Sequence, residues 1–300
     1  MPMNARTTGI LVSIIAYTIW GVLPLYWKLL DHVSAGIILS MRIIWAFVFM
    51  IILVFIMNRQ KKLLAECYRL LSNKRQFIGI TLAAFIISLN WLTYIWAVNN
   101  DYVIESSLGY YINPLISILF GIIILKETLT KAQIVSVGIA GLGVLYLTVS
   151  LGVFPWVSFA LAITFAVYGL LKKIVDLDEI FGLTIETLIV TPLALIYVWL
   201  SPFQTAAFSW TMALLAGAGI TTAVPLLLFA FGTKRIPLSM VGFLQYIAPT
   251  IMLLLGVFVF QETFSVNHMI AFILIWTALI IYMRSAHLTY RKSQLKKAHS

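Results

Sequence analysis

The chain has 300 residues, of which 62% are hydrophobic and 10% charged, and its mean hydropathy is +1.03. A soluble domain has about 45–50% apolar and about 25% charged residues, so this composition excludes an ordinary water-soluble fold. The formal net charge is +10, but the basic residues lie in short segments between apolar runs. That distribution is typical of membrane topology and argues against a nucleic-acid partner. The single cysteine, Cys67, excludes an internal disulfide, and no Cys/His cluster indicates a metal or another cofactor.

The apolar runs are about 20 residues long, the length with which an α-helix crosses a bilayer core. The first run follows a single arginine and has no A-x-A cleavage site, so it is interpreted as a retained helix and not as a signal peptide. The polar segment 58–76 is predicted to lie on the membrane surface as a short amphipathic helix. Ten membrane-spanning helices are predicted, at residues 9–30, 34–57, 77–98, 103–125, 132–150, 154–171, 180–200, 211–231, 238–260 and 267–284.

Basic residues follow a pattern along these ten segments. If the helices alternate in direction, almost all Lys and Arg residues of the connections fall on one side, and Lys28 is the exception on the other. Because cytoplasmic loops carry an excess of Lys and Arg, both termini are predicted to be cytoplasmic.

One sequence unit occurs twice. Tyr111-Ile112-Asn113-Pro114, continuing to Glu127-Thr128, returns in register as Tyr246-Ile247-Ala248-Pro249, continuing to Glu262-Thr263. Five helices separate the copies, and because five is odd the copies face opposite sides of the membrane. Inverted repeats of this kind are a sequence sign of secondary transporters.

Weaker matches support the repeat in two other pairs of helices. Trp20-Gly21 of the first segment can be aligned with Tyr168-Gly169 of the sixth, and the second and seventh segments both begin with a small-residue turn, at Gly36 and Gly182. The fold is therefore predicted to be an all-α membrane protein with ten transmembrane helices in two inverted five-helix repeats. The repeats would occupy residues 1–150 and 151–285, followed by a basic cytoplasmic tail at 286–300.

Ionisable side chains within apolar runs are costly in a bilayer and tend to face a partner or a watery cavity. Arg42 and Glu186 are such residues, and whether they pair with each other stays open. Lys28 and Glu105 lie near the outer helix ends, where snorkelling to the membrane surface is the alternative to lining a path. Lys28 shares one helix face with Trp20 and Pro24, because the three residues are spaced by four.

A polar stripe marks the fourth predicted span. Ser106, Tyr110, Asn113 and Ser117 share one face, and Gln245 occupies the position of Tyr110 in the second copy. Asn90 and Tyr94 have compatible spacing on the third span. Such a face predicts a cavity, and hydrogen bonds that hold helices together are the alternative.

Four prolines free backbone carbonyls at or near these stripes, because a helical proline has no N–H to offer the carbonyl four residues earlier. They are predicted as helix breaks or hinges, and a simple kink is the alternative: Pro24, Pro114, Pro225 and Pro249.

Glu127 and Glu262 are predicted to mark helix boundaries and not to take part in chemistry. Each precedes a natural N-cap, Thr130 or Ser265, and Gln133 completes a capping box with Thr130.

Several motifs together resemble the EamA family of the drug/metabolite transporter superfamily, and more narrowly its RarD branch. They are Leu89-Asn90-Trp91, the stretch from Ser107 to Pro114, Glu186-Thr187-Leu188, and Pro237-Leu238-Ser239-Met240 with Gln245-Tyr246-Ile247. The resemblance covers about residues 6 to 285. It implies a permease-like, multi-pass protein of the bacterial plasma membrane without defining its cargo.

These observations favour a secondary transporter of small organic solutes or drugs, either a permease or an exporter, that works by alternating access. No nucleotide-binding motif is present, so a gradient would supply the energy, and Glu105 or Glu186 would carry a proton. The partners expected are a small-molecule substrate, the lipid bilayer and a second copy if the protein is a homodimer instead of a monomer. The predicted substrate-binding residues are Trp20, Lys28, Arg42, Asn90, Tyr94, Tyr110, Asn113, Tyr168 and Gln245.

Two other classes were weighed against this interpretation. A membrane-embedded enzyme would need a nucleophile, a metal cluster or paired acids at one depth, and the sequence shows none of these, so no enzymatic activity is expected. A non-transporting membrane receptor or scaffold protein is the remaining alternative, but it would not need inverted repeats with broken helices.

Overall fold

The computed structural model describes residues 4–99, 103–150, 152, 156–202, 209–259, 261 and 265–298, and in these ranges the regular elements are all helical. The twelve α-helices are α1 (Ala5–Lys28), α2 (Ala35–Ile56), α3 (Gln60–Ser72), α4 (Lys74–Asn99), α5 (Val103–Ile123), α6 (Lys131–Ser150), α7 (Trp156–Ile174), α8 (Glu179–Leu200), α9 (Trp210–Arg235), α10 (Leu238–Gln245), α11 (Ile247–Phe258) and α12 (Val266–Ala298).

The helices match the predicted apolar segments in order and position. Within the described ranges, nine helical stretches are long and apolar enough to cross a membrane, with α10 and α11 counted together. The described part of α5 contributes a shorter apolar stretch, Leu108–Ile123. The prediction of an all-α membrane protein is thus confirmed, while the count of ten spans stays a prediction. The polar segment 58–76 contains α3, which packs against α2 and α4.

Most of the large contacts between helices form pairs that correspond when the two halves of the chain are exchanged. α5 packs on α7 and α1 packs on α11; α4 packs on α7 and α1 packs on α9; α2 packs on α9 and α4 packs on α8. If the first five spans exchange places with the last five, each of these contacts becomes its partner contact. The remaining large contacts, α2 with α8, α6 with α12 and α5 with α10, map onto themselves.

Glycines allow the closest of these helix contacts. A Cβ on Gly219 of α9 would lie 2.3 Å from the Trp45 carbonyl carbon of α2, and one on Gly242 of α10 would lie 2.7 Å from the Pro114 carbonyl oxygen of α5. Only a residue without a side chain permits such backbone approaches, which is the usual way in which membrane helices pack tightly. These contacts fix α2 beside α9 and α5 beside α10.

The ninth predicted span is broken. α10 ends at Gln245 and α11 begins at Ile247, and the Tyr246 N–H bonds to the Phe243 carbonyl at 3.3 Å instead of continuing the α-helical pattern. Pro249 follows the break by three residues and cannot donate to the Gln245 carbonyl. Pro24, Pro114 and Pro225 lie inside continuous helices, as does Pro192 of α8, which the sequence analysis did not single out.

The capping box at the start of α6 is confirmed. The Thr130 N–H donates to Gln133 Oε1 at 2.9 Å, and the Gln133 N–H donates to Thr130 Oγ1 at 3.3 Å. The Ser265 hydroxyl accepts from the His268 N–H at 3.4 Å at the start of α12. Glu262 and Thr263 lie outside the described residues.

Glu127 is at a helix boundary, but at a boundary in the other half of the chain. Its carboxylate accepts from the backbone N–H groups of Leu238 at 2.6 Å and Ser239 at 2.9 Å, the first two residues of α10. A carboxylate at a helix N-terminus satisfies amides that have no partner within the helix and complements the helix dipole. The sequence pattern could not show this contact, because it joins residues that are far apart in the chain.

Candidate functional site

A cavity of about 560 Å³ lies between α1, α2, α4, α5, α7, α10 and α11. Its volume falls in the range of small-molecule sites, about 300–1,000 Å³. Ten of the residues predicted as substrate-binding or as helix breaks contribute to its lining: Trp20, Pro24, Lys28, Arg42, Asn90, Tyr94, Tyr110, Asn113, Gln245 and Pro249.

The cavity is confined to one end of the helix bundle. On α1 it is lined from Tyr17 to Lys28, which is exposed at the helix end. We call this the Lys28 end. At the opposite end α7 and α9 finish, and because Lys172 lies there we call it the Lys172 end. The cavity lining on α5 stops at Asn113, halfway along that helix.

Arg42 and Lys28 are the cations of the described cavity lining, and Arg42 is the half-buried one. Its Nε donates to Thr222 Oγ1 of α9 at 3.0 Å, across the α2–α9 contact that Gly219 makes possible. The guanidinium carbon lies 4.4 Å from the Trp91 ring centroid and 5.0 Å from that of Trp27, within the range of cation–π attraction. The protein thus holds the cation in place with one hydroxyl and two aromatic rings.

Aromatic side chains form most of the remaining wall. Trp20 packs edge-on against Phe165 at 5.7 Å between ring centroids and lies 5.5 Å from Tyr17. Tyr94 and Tyr110 face each other across α4 and α5 at 6.1 Å. These residues give the cavity an apolar interior with hydroxyls at defined points.

Polar groups of α5 and α10 meet at the inner end of the cavity. Ser117 Oγ lies 3.3 Å from both Asn113 Oδ1 and Gln245 Oε1, and all three side chains are buried. The stripe predicted on α5 therefore meets its counterpart from the second copy. The bond from Ser117 to Gln245 also joins α5 to α10, which is the alternative role predicted for this stripe.

Asn90 combines both roles that the sequence left open. Its Nδ2 donates to the Leu161 carbonyl and to Thr164 Oγ1, each at 2.8 Å, and so ties α4 to α7. At the same time the residue contributes to the cavity lining. Its position is therefore fixed by α7 before any ligand arrives.

Glu186 and Tyr168 lie away from the cavity lining, in a buried cluster toward the Lys172 end. Lys172 Nζ lies 2.8 Å from Glu186 Oε1, and the Tyr168 hydroxyl donates to Glu186 Oε2 at 3.1 Å. The partner of Glu186 is thus Lys172, while Arg42 bonds to Thr222. Lys172 falls in a connection of the predicted topology because the sixth apolar segment stops at residue 171, whereas α7 continues to Ile174. The spacing of four between Tyr168 and Lys172 was the signal that could have revealed the cluster.

Other charged contacts surround this cluster at the Lys172 end. Arg59 pairs with Asp178 at 2.9 Å, and Arg235 pairs with Glu179 at 2.7 Å. Lys173 Nζ donates to the Thr233 carbonyl at 2.9 Å. These bonds join α7, α8 and α9 to one another and to the segment before α3, so this end of the bundle is closed.

Some predicted residues have no described place in either cluster. The Glu105 side chain lies outside the described residues, although its backbone belongs to α5. Pro114 and Pro225 are within α5 and α9 but do not line the cavity. In the described ranges no group of three or more His, Cys, Asp and Glu side chains is placed to hold a metal ion.

Comparison with known proteins agrees with this architecture. The sequence model of the EamA-like transporter family matches residues 7–149 and again 155–284. The chain is 47% identical over 277 residues to the "Uncharacterized transporter YojE" of Bacillus subtilis, covering 91% of this chain and 93% of the relative. It is 40% identical over 298 residues to "Protein RarD" of Salmonella typhimurium, covering 97% of this chain and 100% of the relative.

A solved crystal structure has the same fold, with a TM-score of 0.74 at 18% identity, covering 94% of this chain and 99% of that chain. The family match spans most of the chain, and the relatives match it at nearly full length. The chain therefore belongs to the EamA-like transporter family and is a multi-pass membrane protein of the bacterial inner membrane.

Proposed function

We propose that the protein is a secondary transporter of small organic solutes, RarD-like, that works by alternating access between two inverted repeats. One observation carries this proposal. A cavity of about 560 Å³ reaches the surface region at Lys28, while buried and half-buried ion pairs close the Lys172 end. A transporter that exposes its site to one side at a time needs such a difference between its two ends.

The repeat relates the two ends to each other. When Trp20 is aligned with Tyr168, Pro24 falls on Lys172, and when Gly36 is aligned with Gly182, Ser40 falls on Glu186. Trp20 and Pro24 line the open cavity, while Tyr168, Lys172 and Glu186 close the opposite end. If the two halves exchange conformations, Tyr168 takes the place of Trp20 in a cavity that opens at the Lys172 end. This explains how Tyr168 can belong to the substrate path without lining the present cavity.

The proposed topology has ten transmembrane helices with both termini in the cytoplasm. The repeats are residues 1–150 and 151–285, and the basic tail is 286–300. Support comes from the family model, which matches twice, and from the large helix contacts, which map onto one another when the two halves are exchanged. In this topology the Lys28 end would face outward, and we assign the conformation with the open Lys28 end to an outward-facing state.

The helix breaks would allow the movement. The break at Tyr246, three residues before Pro249, is the strongest hinge candidate because the helix is interrupted there. Pro24, Pro114 and Pro225 are proposed as secondary hinges, since each leaves a carbonyl of its helix without its N–H partner.

Proton coupling is proposed through Glu105 or Glu186. Glu186 is 2% exposed and bonded to Lys172, so it would exchange a proton after the Lys172 end opens and the pair separates. The substrate would pass unchanged between the two sides, with lipid around the helices and with the protein as a monomer or homodimer.

Transport by the purified protein in liposomes tests the proposal. A panel of radiolabelled amino acids, nucleosides, sugars, amines and chloramphenicol is measured with and without a pH gradient. If no member moves under either condition while a partner protein co-purifies, the receptor or scaffold alternative replaces the transporter.

The cavity assignment is tested with the same assay. Asn113→Ala and Gln245→Ala each remove one of the amides that meet at Ser117, so transport of any moved solute should fall about 5- to 10-fold in each variant, the effect of one lost hydrogen bond of about 1 to 1.4 kcal/mol. Asn267→Ala is the matched control, because Asn267 bonds Tyr146 outside the cavity. Unchanged transport in both cavity variants would contradict the assignment.

A further inference from the structure

The charge of the cavity wall carries an inference about the kind of substrate. Arg42 and Lys28 line the cavity, and no Asp or Glu belongs to the lining in the part of the chain that the structure describes. Nor does any described carboxylate form an ion pair with Arg42. By contrast, the acids at the Lys172 end are paired with bases, as Glu186 is with Lys172 and Glu179 with Arg235. The protein therefore keeps the Arg42 charge without an opposite charge from its described residues.

The hydrogen bonds of Arg42 leave a defined part of the guanidinium available. Nε is occupied by Thr222, while the terminal nitrogens Nη1 and Nη2 donate to no described residue. Trp27 and Trp91 contact the guanidinium through cation–π interactions. These contacts leave the terminal N–H groups for an acceptor in the cavity. A pair of parallel N–H groups matches the two oxygens of a carboxylate, a geometry that lysine does not offer.

The rest of the cavity wall favours a ligand whose remaining part is apolar. Trp20, Leu23, Leu161 and Phe165 line the cavity beyond Arg42. A cation in such surroundings is costly unless an anion compensates its charge, because apolar side chains do not replace its lost hydration.

We propose that the cavity binds an organic carboxylate with an aromatic or aliphatic body, whose carboxylate bonds to Arg42 and whose body packs against Trp20 and Phe165. This proposal deepens the proposed transport function and rests on it for its physiological meaning, while the binding site itself is testable without transport.

Calorimetric titration of the purified full-length protein in detergent tests the site. The probes are aliphatic and aromatic carboxylates from butyrate to indole-3-propionate, each paired with its neutral amide of the same shape. We expect at least one carboxylate to bind, and to bind about 10- to 100-fold more tightly than its amide, as for a hydrogen-bonded ion pair that loses its charge. If no carboxylate binds more tightly than its amide, the proposal is wrong.

Variants of Arg42 locate the effect. Arg42→Gln should abolish the preference for carboxylate over amide, and Arg42→Lys should retain part of it, because lysine keeps the charge and loses the paired N–H groups. The matched control is Arg75→Gln, an exposed arginine at the start of α4 outside the cavity. Gel filtration and thermal melting confirm that each variant is folded. A carboxylate preference that survives in a folded Arg42→Gln protein would overturn the assignment to Arg42.

The two proposals fail in different ways. If carboxylates bind in an Arg42-dependent manner but do not cross liposome membranes, the site stands and the transporter proposal falls. If liposomes move neutral amides as fast as carboxylates, transport stands and the anion site is wrong.

Discussion

Thr222 fixes the direction in which Arg42 points. Its hydroxyl accepts from Arg42 Nε at 3.0 Å and donates to the Ala218 carbonyl of its own helix at 2.7 Å. The hydroxyl is thus oriented by α9 and presents its lone pair to α2. Sequence analysis missed this residue, because a single threonine in an apolar helix has no pattern to distinguish it from one that bonds only to its own backbone.

Replacing this hydroxyl tests its positioning role. Thr222→Val removes the acceptor of Arg42 Nε, and we expect carboxylate probes to bind about 5-fold more weakly, the effect of one hydrogen bond of about 1 kcal/mol. Binding of the matched amides should change less, which separates loss of orientation from general loss of packing. Thr222→Ser keeps the hydroxyl and should restore the wild-type preference. Equal carboxylate affinities of the valine variant and the wild type would show that the rings alone position Arg42.

At the scale of elements, α7 and α8 are held together by a buried ion pair. Lys172 and Glu186 are 5% and 3% exposed in their side chains, and their charges are 2.8 Å apart. The desolvation of two charges offsets much of their attraction, so the pair contributes little net stability, but either charge left alone is strongly unfavourable. Such a pair favours two states, one with both charges together and one with both in water, over any intermediate opening.

Charge removal tests whether the pair closes this end. Glu186→Gln leaves the Lys172 cation buried, and we expect a destabilisation of about 3–5 kcal/mol, seen as a lower melting temperature. The double variant Lys172→Met/Glu186→Gln removes both charges and should recover most of the loss. Reaction of an engineered cysteine at Thr233 with a maleimide reports opening, and it should rise in the single variant. Equal melting temperatures of the wild type and the single variant would show that an unpaired Lys172 costs little and that the pair does not hold this end closed.

At the scale of the whole molecule, the charge pattern and the helix order agree with the proposed topology. Arg59, Lys172 and Arg235 lie at one end of the bundle and Lys28 at the other, the distribution that the positive-inside rule predicts for cytoplasmic termini. The cavity reaches the Lys28 end, so the topology also determines the side on which substrate enters or leaves this conformation.

Cysteine labelling in intact cells tests this orientation. The native thiol is first removed by Cys67→Ser, and single cysteines are then placed by Asp31→Cys, beyond α1, and by Ser72→Cys, at the end of α3. A membrane-impermeant maleimide should label the first in intact cells and the second only after permeabilisation. Both replaced side chains are exposed, so access to the reagent depends on the membrane side alone. The reverse labelling would place the cavity mouth in the cytoplasm.

Much of the fold and about half of the site could be predicted, because they depend on local periodicity. Spacing by four put Trp20, Pro24 and Lys28 on one face of α1, and all three line the cavity. Partners could not be predicted in the same way. Lys172 with Glu186 joins two consecutive helices and Glu127 with the start of α10 joins distant segments, and several packings satisfy the same periodicity. Tyr168 was predicted to bind substrate but does not line the cavity, for a further reason. A repeat in the sequence predicts that Tyr168 and Trp20 are equivalent, whereas a single conformation places them in different surroundings.

The break at Tyr246 divides the ninth predicted span into two pieces with different neighbours. α10 is held by Glu127 and by its close contact with α5 at Gly242, whereas α11 packs mainly on α1. We expect a displacement of α1 relative to α5 to be taken up mainly between Gln245 and Ile247, where one α-helical turn is already interrupted. Gln245, at the inner end of the cavity, is the last residue of α10. A ligand that contacts Gln245 and α11 together would bridge the helix break and would oppose a change in the angle between α10 and α11.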